Sequence, residues 1–237
     1  MSTPPASPDP RGSTLWEMFL QWMKNRRSSE PVTSSSLANP LDWTPGAPVS
    51  LNATQGPEFA SALTRVDELR HVIRREGGQE FHFVDYVLRV SPRDADPVNI
   101  RIRCLPDGGG GWHRLLLRQH DEFGFAADFL EVLNDPSGVF TVEDEASEAG
   151  DPPVEISFQR LNEVTGPWHA TVIHQRGPEA DSTAPPAASQ AADQDSGTME
   201  YWDFLHVHGD GTEEFLFTEL DGSTGWIQIW RGSRVFL

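Results

Sequence analysis

Positive charge is scarce in this chain. Its 237 residues carry 18 basic side chains against 36 acidic ones, a formal charge of −18, and Lys24 is the only lysine. Such a surface repels phosphate backbones, which argues against nucleic acid as a partner. Cysteine is scarcer still. A lone Cys104 excludes an internal disulfide. It lies in the strand-like run NIRIRCLP, where a buried structural thiol is expected; a catalytic thiol would need an activating imidazole or cation beside it. No stretch approaches the ~18 apolar residues of a membrane span. The opening MSTPPASPDPRGS lacks the charged start and apolar core of a secretory signal, so a cytoplasmic location is expected. Apolar residues make up 37% of the chain, below the usual ~45–50%. No GxSxG, CxxC, HExxH or EF-hand pattern occurs. The glycine run at 108–111 lacks the Lys-Ser/Thr of a phosphate-binding loop and reads as a hairpin turn.

Aromatic and extended segments are abundant. Eight Trp and thirteen Phe supply core volume, each burying on the order of 150–250 Å². Two stretches match in pattern: VIRREGGQEFHFVDYVLRV (Val72–Val90) and EYWDFLHVHGDGTEEFLFTELDGSTGWIQIWRG (Glu200–Gly232). Both read as strand, tight turn, strand, with FVDYVLRV set against YWDFLHV, as an internal duplication would give. Further strands are expected from about Arg65, over NIRIRCL, WHRLLLRQ, VFTVED, VEISFQRLNEV and PWHATVIHQR, and in a closing meander over Met199–Val207, Glu213–Leu220 and Trp226–Arg231. FAADFLEVL (Phe125–Leu133) fits a short helix or a strand equally well. The connections are too short for parallel crossovers.

The expected fold is therefore all-β, a mostly antiparallel sandwich or partly open barrel, with one short N-terminal amphipathic helix on a flexible tether. Residues 1–13 are expected to be disordered and 14–27 helical. A linker follows at 28–39, then a β-rich domain over 40–237, divisible into subdomains 40–145 and 154–237. The apolar-poor insert 177–198 is expected to be disordered. In the helix, Thr14 and Glu17 form a capping-box pattern. Trp16, Phe19 and Trp22 lie above a basic end of Lys24, Arg26 and Arg27. That combination suits docking to a protein partner or a membrane surface, as well as folding back onto the β domain.

Two constellations could carry chemistry. His206, His208 and Asp210 place two imidazoles on one strand face with a carboxylate beyond, a pattern able to bind a divalent metal. The letters HxHxD are similar to part of the metal motif of metallo-β-lactamase-like hydrolases, but Gly211 stands where that family has a second His, and Gly209-Asp210-Gly211 also reads as a turn. Asp85 and Asp203 occupy equivalent places in the matching segments. An unpaired charge in such aromatic strands is costly, so each is expected to accept hydrogen bonds from an arginine of a neighbouring strand or from backbone amides. A perturbed carboxylate in a cleft is the functional alternative.

LDWTPGAPVSLN (Leu41–Asn52) and FVDYVLRV (Phe83–Val90) resemble a bacterial family, the domain of unknown function numbered 4178. The likeness covers about a third of the chain, and the chain departs from it in length, in its acidic inserts and at Arg89. It implies a small cytoplasmic β domain without known catalysis, and it carries no catalytic residue over.

Three functions follow as expectations. The first is a non-catalytic cytoplasmic β domain that binds a protein partner or membrane surface, without a cofactor. The second is a metal-binding protein or metal-dependent hydrolase built on His206, His208 and Asp210. The third is a small-ligand carrier with an aromatic-lined barrel.

Overall fold

The computed structural model describes residues 38–52, 55–56, 59–60, 62–76, 79–91, 97–107, 109–144, 153–161, 166–176 and 194–236. Alternating apolar and polar residues form eleven strands: β1 (Pro48–Val49), β2 (Leu63–Glu76), β3 (Gln79–Ser91), β4 (Val98–Pro106), β5 (Trp112–Gly124), β6 (Val139–Asp144), β7 (Val154–Arg160), β8 (Trp168–Arg176), β9 (Gln194–Val207), β10 (Glu213–Asp221) and β11 (Trp226–Val235). The one helix among the described residues is α1 (Ala127–Leu133).

Eight strands close into an antiparallel barrel in the order β2-β3-β4-β5-β11-β10-β9-β8 and back to β2. Two meanders, β2–β5 and β8–β11, meet first strand to first and last strand to last. β2 pairs with β8 from Glu68↔Arg176 to Arg74↔Ala170, and β5 pairs with β11 from Gly124↔Trp226 to Arg114↔Val235. The matching segments of the sequence thus supply corresponding strands, β3 and β9, of the two meanders. Segments 40–145 and 154–237 each contribute four barrel strands.

The expected antiparallel all-β architecture is present, but the barrel is closed rather than partly open, and it is not a sandwich. Closure follows from the β2–β8 and β5–β11 ladders, which leave no free edge in the eight-strand ring. The helix expected over 14–27, with Trp16, Phe19, Trp22, Lys24, Arg26 and Arg27, lies outside the described residues. The ambiguous stretch before Asn134 is helical. Leu133 is buried, and Phe129 sits edge-on to both Phe123 and Phe140, at 4.9 and 5.7 Å between ring centroids. β9 begins at Gln194, inside the expected disordered insert 177–198. Its start pairs backbone to backbone with β8, from Gln175↔Gln194 to Thr171↔Thr198, which needs no apolar side chain.

Three packed layers result. The lumen holds Val72, Phe83, Leu115, Leu117, Val172, Tyr201, Phe215, Phe217 and Trp230. Outside β2–β5, Val84, Tyr86, Leu88, Ile100, Ile102 and Cys104 pack beneath the segment carrying Leu41, Trp43 and Phe59. Burial drives the Cys104 thiol up to about 12, so it is an inert part of this layer. Outside β9–β11, α1 and the β6–β7 hairpin cover Trp202, Phe204, Leu216, Ile227 and Ile229. Arg231 fastens that hairpin, bonding Asp144 of β6 and Glu214 of β10 together.

Candidate functional site

The lumen carries charge. Arg101 and Arg103 on β4 alternate with Ile100 and Ile102, which face the outer layer. Their guanidinium groups point inward and reach Glu219 on β10, three strands away around the ring, a contact possible only through the lumen. Arg103 also donates two 2.8 Å bonds to Asp85 on β3, from Nε to Oδ1 and from Nη2 to Oδ2, and Arg101 Nη1 lies 3.3 Å from Asp85 Oδ2. Side chains of Asp85, Arg101, Arg103 and Glu219 are 0–1% exposed. Burial alone would lower the Arg103 pKa, but the Asp85 carboxylate beside it outweighs that and holds it above the ordinary value. Burial alone would raise the Glu219 carboxyl; Arg101 and Arg103 pull it below its usual range.

A second ion pair lies elsewhere in the same lumen. Arg74 Nη1 on β2 donates to Asp203 Oδ2 on β9 at 2.5 Å, with both side chains 6% exposed. Asp85 and Asp203 therefore both take arginine partners, as an unpaired charge among aromatic strands requires. Aromatic faces complete the solvation. Arg74 stacks 4.1 Å from the Trp168 ring, Arg101 3.9 Å from Trp230, and Arg103 4.4–4.5 Å from Phe217 and Phe83. Among the described residues, Nε and Nη2 of Arg74 and Arg101, Oδ1 of Asp203 and Oε2 of Glu219 have no hydrogen-bond partner. Each such atom costs about 1–3 kcal/mol relative to a satisfied one. These unpartnered atoms offset part of the stabilisation that the ion pairs supply.

Nearer the opposite end of β2, Glu68 accepts from Arg70 at 2.6 Å, from His174 at 2.6 Å and from Arg176 at 3.2 Å. Burial would raise its pKa, yet His174 and Arg70 hold it at about 2. On the outer face of β2, His71 is 2% exposed, with its ring 5.6 Å from His82 and its Nε2 3.4 Å from Gln175 Nε2. Burial, then the neighbouring His82, lowers it to about 4.

These two shifts give stability a definite pH dependence. Both folded-state values lie below the unfolded ones, so the unfolded chain binds more protons in each interval. Stability contributed by His71 is complete above about 6.5 and is lost as pH falls to about 4. That from Glu68 is lost between about 4.5 and 2. Each is worth up to about 3 kcal/mol. Urea unfolding at pH 7, 5 and 4 is expected to show falling stability, and His71→Gln should flatten the decline above pH 4. An unchanged slope in that variant would assign the loss to other groups.

The His206–His208–Asp210 trio is not assembled. The two rings touch, 4.5 Å between centroids, but His206 Nδ1 bonds the Ser157 carbonyl at 2.9 Å and His208 Nε2 faces Glu214 Oε2 at 3.2 Å. Asp210 turns into its own hairpin, accepting from the Thr212 amide and hydroxyl, with Gly211 at φ 86° closing the turn. Among the described residues no group of three or more His, Cys, Asp or Glu side chains could hold a metal ion. The trio fails because the carboxylate has a closer partner within its own turn.

An open feature lies on the outside. At the seam of β2, β8 and β9, at the margin of the outer layer that includes Leu220, a groove of about 300 Å³ presents the side chains of Ile73 and Leu220, with Arg75, His169, Thr171, Thr198 and Glu200 around them; Ala170 and Met199 border it from strands whose side chains there join the luminal cluster. Apolar side chains inside a polar rim are the usual make-up of a binding surface. Sequence reading missed both the groove and the luminal arginines. The alternation IRIR was visible, but it reads as a half-solvated strand unless the inner face is known to be closed.

No protein-family model, curated protein or solved structure matches the chain. No described helix is long and apolar enough to cross a membrane.

Proposed function

We propose that this protein is a non-catalytic β-barrel binding module for a protein partner, working through its outer surface in the cytoplasm. The observation that carries the reading is the contrast between lumen and seam. Asp85, Arg101, Arg103 and Glu219 are locked to one another at 0–1% exposure, whereas the seam presents an open groove with Ile73 and Leu220 inside a polar rim. The guanidinium groups of Arg74, Arg101 and Arg103 and their carboxylates occupy the lumen, which favours this reading over a carrier of small apolar ligands. The resemblance to family 4178 agrees with it, since that likeness implies a β domain without known catalysis. A net charge of −18 repels anionic bilayers, so a protein partner is favoured over a membrane.

Thr171→Arg places a long charged side chain in the groove without touching the lumen. In the full chain, the variant is expected to keep the β-rich circular-dichroism spectrum and to lose, by tenfold or more, the partner that the wild type retains in cross-linked pull-downs. Equal retention by both forms, or association with neutral liposomes alone, would overturn the reading.

A further inference from the structure

We infer that the seam groove is the docking site of the chain's own segment Thr14–Arg27, which would occupy it when no partner does. The inference rests on the groove being a binding surface, as proposed above, and adds its resident occupant.

Reach permits the contact. The described chain starts on the outer face of the barrel, over β3 and one strand from the groove's edge: the Leu41 amide donates to the Tyr86 hydroxyl at 3.0 Å, and Trp43 packs edge-on to the same ring at 5.5 Å. Tyr86 pairs with Leu69 of β2, and Ile73 lies four residues further along that strand, about 13 Å away at ~3.3 Å per residue. The eleven residues from Ser28 to Ala38 can span up to about 36–40 Å. The segment therefore reaches the groove with chain to spare.

Chemistry favours it. Trp16, Phe19 and Trp22 recur at helical spacing, which offers apolar side chains to Ile73 and Leu220 in the groove. The segment holds one acid and three bases in a chain whose net charge is −18, so it is drawn to the rest of the protein. Glu200 on the groove rim lies 3.6 Å from the exposed His169 ring and can accept from Lys24, Arg26 or Arg27. A second copy of the chain is a weaker occupant, because two bodies of this charge repel.

Photo-cross-linking in the full chain tests the inference. With Phe19→p-benzoylphenylalanine, irradiation of the dilute purified protein should give intramolecular adducts that peptide mapping places at residues 73, 169–171 or 198–200. Thr171→Arg should cut their yield at least fivefold. Adducts elsewhere on the barrel, or only between molecules, would overturn the inference. A companion probe, Thr171→p-benzoylphenylalanine, separates this result from the parent reading. Capture of a foreign protein at position 171 without Phe19 adducts removes the resident segment and leaves the binding surface. Loss of both removes both.

Discussion

Asp85→Ala is expected to destabilise the barrel by about 3–5 kcal/mol, a large part of the ~5–15 kcal/mol that holds a domain of this size folded. Arg103 would lose both of its 2.8 Å bonds to that carboxylate and Arg101 its 3.3 Å contact. Glu219 would then face two buried guanidinium groups alone. The penalty comes from the stranded charge, so removing a charge of the other sign should recover much of it. Asp85→Leu combined with Arg103→Met keeps the charges balanced and fills the volume with apolar atoms. That pair is expected to be more stable than either single variant, with a coupling of about 2 kcal/mol or more in a urea-unfolding cycle. Additive losses, or a single loss below about 1 kcal/mol, would mean that water reaches the cluster.

Gly232→Ala should be the second most damaging change. Gly232 lies on β11 opposite Leu117 of β5, in a ladder that closes the barrel. A Cβ there would overlap the Leu116 carbonyl oxygen and come within 2.9 Å of Leu117 Cα. These are backbone atoms in a hydrogen-bonded strand, so they cannot rotate aside as a side chain would. The two strands must part, at a cost of about 3 kcal/mol or more, the upper end of what overpacking brings. Gly124→Ala, on the same ladder with nothing within 4 Å of the new methyl, is the control and should cost less than about 1 kcal/mol. Equal melting temperatures for the two variants would show that β5 and β11 approach less closely than described.

Local structure was legible in the sequence to the extent that it is written in neighbouring residues. The hairpin closing at Glu76 and Gln79, the turn ahead of Val139 and the His208–Thr212 turn follow from Gly, Asn and Asp at the positions that need them. The pairing of Asp85 and Asp203 with arginines was legible too, because a carboxylate in an aromatic strand has few other solutions. Barrel closure was not. Glu68↔Arg176 and Arg114↔Val235 join residues more than a hundred positions apart, and nothing near either partner signals the contact. The luminal role of Arg101 and Arg103 was hidden for the same reason. Their oppositely charged partner Glu219 stands in the apolar run FLFTEL, but only closure reveals that the two meet. His206, His208 and Asp210 show the reverse failing: adjacency suggested a metal site, and turn chemistry took the carboxylate away.

A binding role for the outer surface requires the lumen to be a sealed ionic core. Nitrogen-15 NMR of the arginine Nε–H groups reads this directly, because Arg103 Nε donates to Asp85 inside the barrel. In the intact protein at pH 7, the Arg103 Nε–H should give a separate resonance that survives for hours after transfer to heavy water. Its disappearance within the dead time of the exchange, while the strand amides of β3 and β4 remain protected, would contradict a sealed lumen.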